Sequence, residues 1–328
     1  MKLISHMNDD QDLTQPWLDY YMQRGITAFH IVVHGSREEN AKLFELKNSY
    51  PIIIAAQYDG EFTSEKKQGH INSVLSTLRG QWVMLADSDE FVELPYRSIW
   101  ATVMILRLFE ATALYAPMLQ RLTRDGSIHN PVISDPFREF PLCSADLYRK
   151  MGVRATTSKY PLFHCSDSTF IDPGAHGRPN GPSTGLSPLR GVTHHFKWKQ
   201  SVLKRLSSRI NSSHTWRHES EAFDAYLKEN GYRLPTSDSF PYSRQELARQ
   251  GLLKRATLPA LCRATVRKFA TFLPSELQRI IRNSYQALKN NDVTVAVSSK
   301  NSVDSKELAA KSIVSSKTAP ASAPQGRR

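Results

Sequence analysis

The chain has 328 residues, 40% of them hydrophobic and 23% charged, with a formal net charge of +12. This is ordinary globular composition, long enough for one large or two ordinary domains, and it excludes a chain too polar to bury a core. Cys143, Cys165 and Cys262 are odd in number and lack CxxC spacing, which excludes a disulfide framework or a structural zinc site and reads as free thiols in a reducing compartment.

The first half alternates short apolar runs with amphipathic stretches. "KLISHM" predicts a strand, "PWLDYYMQRG" a helix closed by Gly25, and "AFHIVVHG" and "PIIIAAQ" two further strands. "KKQGHINSVLSTLRG" predicts a helix and "WVMLAD" a fourth strand. Strands alternating with helices imply an α/β fold with a mostly parallel sheet and flanking helices. In such sheets ligands sit beyond the carboxyl ends of the strands. Asn8, Asp9, His34 to Ser36, Tyr58, Asp59 and the run Asp87 to Glu90 therefore share one candidate rim.

Downstream, "IWATVMILRLF" is broken by Arg107 well short of a membrane span. The N-terminal stretch has no apolar run of the kind a signal peptide needs, so the expected location is cytoplasmic. Residues 115–200 carry turn-rich pieces, "RDGSIHNP" and "DPGAHGRPNGPSTGLSP", hung on the strands "ALYAPMLQRL" and "KYPLFH". Helices are predicted in "KQSVLKRLSSRIN", "ESEAFDAYLKENG" and "SRQELARQGLLKRA". From Leu252 to Asn290 there are eight Lys or Arg and one acid, Glu276, and the Ser-, Ala- and Lys-rich stretch 291–328 predicts a disordered tail. The expected organisation is a domain over 1–215, a basic helical extension over 216–290 and that tail.

"GQWVMLADSDEFVELP" (80–95) drives an apolar strand into three acids. Like charges so close repel and raise one another's pKa unless a cation or hydrogen-bond donors compensate, and a hard divalent ion is the economical candidate. Asp-x-Asp after such a strand occurs in haloacid-dehalogenase-like phosphatases and in nucleotide-sugar glycosyltransferases of the GT-A fold. The former carry an acidic pair downstream, whereas the one Asp-Asp pair here, Asp9-Asp10, lies upstream.

"WVMLADSDEFVELP" resembles the Trp-x-x-x-x-Asp-x-Asp-Glu-Phe signature of family 2-like glycosyltransferases, in the branch similar to the family 92 group. In the same order, Asn8, Trp17, Leu18, Tyr20, Gly25, Phe29, Gly35 and Ser36 match the family's opening, "DPGAH" its Gly-x-His element, and "VTHHFKWKQSVLKRL" its closing His segment. The resemblance covers about residues 2–210 and implies a GT-A fold. The implied activity is metal-dependent transfer of a sugar from a nucleotide-sugar donor to a glycan or lipid-linked acceptor.

It implies further that Asp87 and Asp89 ligate Mn2+ or Mg2+, with His194 or His195 as an additional ligand and His195 preferred. Asn8, Gly35, Asp59, Gln68, Asp87 and Lys197 would line the donor site, with Glu90 orienting a neighbour. The base for inverting transfer would be Asp172 first and Asp146 second, among Asp135, Glu139 and Asp167. Where the family usually places an Asp after its second strand, this chain has His34-Gly35-Ser36, which leaves the base of the donor open.

Two alternatives stand beside this reading: a haloacid-dehalogenase-like phosphatase using the Asp-x-Asp, and a basic, non-catalytic surface-binding protein. The second rests on an amphipathic helix with Phe269, Phe272, Leu273, Leu277 and Ile280 opposite arginines, within a membrane-contacting segment 252–290. No nucleic-acid partner is expected, because no helix-turn-helix, zinc-finger or RNP-like motif is present.

Overall fold

The computed structural model describes residues 1–8, 12–129, 135–172, 176, 177, 179, 187–211, 216–270, 275 and 279. The expected tail lies outside the described residues, as do Phe272, Leu273, Leu277 and Ile280 of the expected amphipathic helix. Met1–Leu261 is one compact unit and Cys262–Arg328 a second.

In the first unit, β1 (Lys2–Met7), α1 (Thr14–Met22), β2 (Ala28–His34), α2 (Ala41–Leu46), β3 (Ile52–Tyr58), α3 (Ser64–Ser76) and β4 (Trp82–Leu85) alternate as the hydrophobic periodicity implies. The four strands lie in the order β3-β2-β1-β4, all parallel. Central β1 is covered on both faces, so Leu3, Ile4, Ser5 and Met7 are all buried. Edge strand β3 alternates instead, burying Ile52 and exposing Ile53, Ala55 and Gln57. One face of the sheet packs on α1 and the next long helix through Trp17, Leu18, Tyr21, Val103 and Leu106. The other packs on α3, where Ile71, Val74 and Leu75 meet Ile4, Val32 and Val83.

Past β4 the chain forms β5 (Glu90–Glu93), α4 (Ile99–Leu108), β6 (Ala113–Leu122), α5 (Pro136–Glu139), β7 (Leu142–Ser144), α6 (Leu147–Lys150), β8 (Ser158–His164) and β9 (Val192–His195). Here the sheet changes character. β8 enters between β4 and β6 antiparallel to both, β6 pairs antiparallel with β7, and β9 runs parallel to β6. The fold is thus α/β with flanking helices and a parallel half that carries the first strands.

Helix α4 is the stretch read from sequence only as too short to span a membrane. Ser98 caps it, accepting from Ala101 N at 3.4 Å, and its inner face supplies Ile99, Val103 and Leu106 to the core.

The chain continues with α7 (Ser201–Ile210), α8 (Arg217–Glu229), β10 (Phe240–Pro241), α9 (Arg244–Arg249) and α10 (Leu258–Ala270). Val202, Leu206, Phe223, Leu227 and Leu234 share one cluster with Leu122, Leu147, Tyr148 and Trp198. Residues up to Leu234 therefore pack on side chains from β6, α6 and the segment after β9. Helix α10 leaves Leu258, Val266 and Phe269 exposed.

Candidate active site

The acidic run is a turn held by its backbone. Glu90 N donates to Asp87 O at 3.0 Å, and Trp17 Nε1 donates to both Asp87 O and Glu90 O at 3.0 Å. Tyr21 Oη donates to Glu90 O at 2.9 Å and accepts from Val92 N at 3.0 Å. Phe196 N donates to Asp89 O at 2.8 Å from the far side. With its carbonyls satisfied by α1 and by the end of β9, the turn is free to aim its side chains.

Register does the aiming. β5 pairs antiparallel with β9, Glu90 opposite His195 and Phe91 opposite His194. Because strand side chains alternate, Glu90 and His195 share one face and His194 points to the other. His195 Nε2 lies 3.5 Å from Asp89 Oδ2, and Tyr148 Oη is 3.5 Å from His195 Nδ1. One ligand atom each from Asp89, Glu90 and His195 lies within 4.8 Å of the others.

The acids are also met by protein cations. Lys67 Nζ is 2.7 Å from Asp87 Oδ1, Lys159 Nζ is 3.3 Å from Asp87 Oδ2 and 2.5 Å from Glu90 Oε1, and Arg205 Nη1 is 3.7 Å from Asp89 Oδ2. Burial alone would raise the Asp87 carboxyl, but Lys159 and Lys67 override it and hold it well below the usual range. Asp89 behaves alike: burial opposes, while His195, Arg205 and Lys199 keep it ionised far below its ordinary pKa. For Lys159 burial pulls downward, and Asp87 and Glu90 more than reverse it, so its ammonium is held charged. Much of the repulsion assigned from sequence to a bound metal is thus offset by lysine and arginine.

Asp89, Glu90 and His195 fit a divalent ion by donor chemistry. Two carboxylates and an imidazole suit manganese. Asp87 lies outside this group with its two oxygens facing the two lysine ammonium groups, while Glu90 Oε1 meets Lys159 and Glu90 Oε2 accepts from Asp87 N at 3.2 Å. His194 is fully buried and 3.5 Å from Glu93, away from the triad.

The other expected site residues divide. Half-buried Asn8 and exposed Asp59 follow β1 and β3 on the carboxyl rim, as anticipated. Gly35 sits after β2 at φ +99°, and a methyl there would stand 2.7 Å from Glu39 Oε2, which accepts from Ser36 N at 2.7 Å. Its turn is tight for a local reason. Gln68 Nε2 donates to Ile171 O at 2.8 Å, and Asn72 brackets the same residue, accepting from Ile171 N at 2.9 Å. Both tie the segment after β8 to α3.

β9 ends at His195, so Lys197 lies beyond the strand. The Lys197 ammonium lies over the rings of Phe223, Tyr148 and Trp198 at 4.3, 5.0 and 5.1 Å, and burial brings its pKa down to about 7. Asp146 pairs with Arg149 at 2.9 Å; burial opposes, but Arg149 and Lys150 lower its pKa. Exposed Asp172 accepts from Gly177 N at 3.1 Å.

Sequence reasoning missed Lys67, Lys159 and Arg205. Lys159 lay in a predicted strand, and its position before the apolar "YPLF" was the one available sign that a cation enters the sheet. It also missed a ring cluster on the rim. His34 and Tyr58 are cross-strand partners with ring centroids 4.9 Å apart, Tyr58 stacks on His70 at 4.5 Å, and Phe62 stands 5.5 Å from His6. Tyr58 Oη is 2.9 Å from His6 Nε2, and burial, helped by Lys67, pushes His6 down to about 3.

No family model matches the chain, and no curated protein matches it. Among solved structures it is similar to S. aureus TarS. One TarS structure is 11% identical with TM-score 0.32, over 85% of this chain and 50% of that one, so this chain spans half its length. The TarS 1-349 complex with UDP-GlcNAc is 11% identical with TM-score 0.33, over 85% and 83%. A 4-diphosphocytidyl-2C-methyl-D-erythritol synthase is 9% identical with TM-score 0.27, over 77% and 98%. Likeness at this level leaves function to the site's own geometry.

Proposed function

We propose that the chain transfers a sugar from a nucleotide-diphosphate donor to a glycan or lipid-linked acceptor, with Mn2+ or Mg2+ held by Asp89, Glu90 and His195. The observation that carries this reading is the gathering of those three ligand atoms within 4.8 Å beside Arg205, at the carboxyl end of a parallel strand. A divalent ion bound there would neutralise the donor diphosphate and the departing nucleotide.

The protein's own part is positioning and charge. Arg205, and Arg209 whose guanidinium lies 5.2 Å over the Trp216 ring, present positive charge from α7 toward the same pocket side as Asp89. Tyr148 orients His195 through Nδ1. The ring cluster of His6, His34, Tyr58 and His70 offers a stacking surface for the nucleobase, between Asn8 and Asp59. Asp172 is the preferred base for the acceptor hydroxyl, because Asp146 is held ionised by its pairs and is a weak proton acceptor. The phosphatase reading needs Asp87 as a nucleophile, and two lysines occupy its oxygens.

Among the described residues no helix is long and apolar enough to cross a membrane. Peripheral contact through 252–290 belongs to the proposal, supported by the exposed Leu258, Val266 and Phe269 of α10. Calorimetric titration of nucleoside diphosphates and nucleotide sugars, with and without manganese, tests the central claim. Manganese-dependent binding that disappears in Asp89→Ala supports it. Full binding in that variant, or none in the parent, overturns it.

A further inference from the structure

Helix α4 has a second face. It buries Ile99, Thr102, Val103 and Leu106, and turns Trp100 and Met104 outward at 53% and 69% exposure. Four residues apart, these two stand one above the other on the helix surface. Arg97 and Arg107, both exposed, continue the stripe before and after them, and Arg107 is the one charged residue in "IWATVMILRL". The outer face therefore reads basic, aromatic, apolar, basic.

The patch extends onto α1. Gly25 lies against the indole, so that a methyl on it would be 3.8 Å from Trp100 Cδ1, and Ile99 N donates to Arg24 O at 3.4 Å. Met22, just before this turn, is 42% exposed. Arg255 Nε donates to Pro95 O at 2.8 Å, adding a further cation near the start of the helix. Water gains nothing from a Trp and two Met gathered at one place, and contiguous patches of this kind mark interaction surfaces.

Charge selects the occupant. An apolar centre ringed by arginines complements a layer of anionic headgroups over hydrocarbon, and tryptophan favours that boundary. We propose that the Trp100–Met104 face of α4 docks on an anionic lipid bilayer. The surface is separate from the acidic turn: Gly25 precedes the amino end of β2, whereas the acids follow the carboxyl end of the parallel strand β4. It does not depend on the proposed sugar transfer.

The test is co-sedimentation of the full chain with phosphatidylcholine vesicles, with and without phosphatidylglycerol. It uses Trp100→Glu/Met104→Glu and, on α10, Val266→Glu/Phe269→Glu. The parent should bind the anionic vesicles and not the neutral ones, and the α4 variant should lose more than about tenfold in partitioning. Brominated lipid should quench the parent's tryptophan emission, and Trp100→Phe should remove that quenching while keeping vesicle binding. This second readout holds even if the double variant folds poorly. Retained binding in a folded α4 variant, loss only in the α10 variant, or equal binding to neutral vesicles overturns the proposal. So does the absence of binding together with a concentration-dependent self-association that the α4 variant abolishes.

Discussion

Strands β5 and β9 carry a glutamate and a histidine on each face, and the two faces treat them differently. On one, Glu90 and His195 stand with Asp89 in a cluster whose charges are shared with a lysine and an arginine. On the other, Glu93 and His194 are sealed. Tyr242 Oη donates to Glu93 at 2.5 Å and the Arg244 guanidinium pairs with it, while His194 is walled in by the rings of Phe137 and Tyr242. Fully buried Arg121 packs over Tyr242 nearby and donates to Cys143 Sγ at 2.8 Å. Burial, with Arg121 adding to it, drives His194 well below its ordinary pKa. The same residue types gather with Asp89 on one face and form a structural lock with Tyr242 and Arg244 on the other.

The largest expected effect tests the lock. Glu93→Ala leaves Arg244 without its carboxylate and should cost about 3 kcal/mol in urea unfolding. Manganese affinity of the folded protein should stay unchanged. A stable variant with weakened metal binding would show that the two faces are one unit.

The acid limb of the stability curve separates them next. His6 and His194 have folded pKa values below the unfolded value near 6.5. Their contribution is intact above that pH and is lost as the unfolded chain takes up protons below it, by up to about 1.4 kcal/mol per pH unit for each. Asp87 and Asp89 are depressed too, so their contribution is intact above about pH 4 and fades as pH falls through their folded values. His194→Gln should flatten the curve between those limits, and Asp87→Asn should flatten it only below. A profile unmoved by His194→Gln would argue that this imidazole titrates alike in the folded and unfolded chain.

Lys159→Met sharpens the Glu90 face. Removing a cation that shares Glu90 should tighten manganese binding by about tenfold, one pKa unit's worth of energy, read by calorimetry. Weaker binding would mean that Lys159 is needed to hold Glu90 in place. The smallest effect belongs to Asp146→Asn, where the pair with exposed Arg149 and a longer one of 3.7 Å with Lys150 are lost. Stability should change by less than about 1 kcal/mol. A large fall in turnover at unchanged stability would move the base from Asp172 to Asp146.

The parallel half of the sheet was legible because β1, β2 and β4 are short, mostly apolar runs, a pattern that burial on both faces favours. The antiparallel half was not. Nothing local in "KYPLFH" says that it inserts between β4 and β6, since strand partners are chosen by packing across long sequence separation. Helix α4 was read only as too short for a membrane span, because its length and apolarity do not by themselves say which side it packs on. At the site, the acids after β4 stood out from local charge, and His195 entered through the family resemblance. Lys67, Lys159 and Arg205 were not, because a lysine in a strand or helix carries no mark of the carboxylate it will meet.

What the sequence by itself determined is the alternation of elements, the rim at which chemistry collects, and the unusual density of acid after β4. Each follows from periodicity or from charge along a few neighbouring residues. Only the tertiary structure decided which face of β5 gathers Asp89, Glu90 and His195 and which forms a lock, and that Asp87 pairs with two lysines. Those outcomes depend on the register of β5 against β9 and on cations delivered from α3, β8 and α7. Register and long-range electrostatics are properties of the assembled sheet, because a shift of one residue would exchange every side chain between its faces.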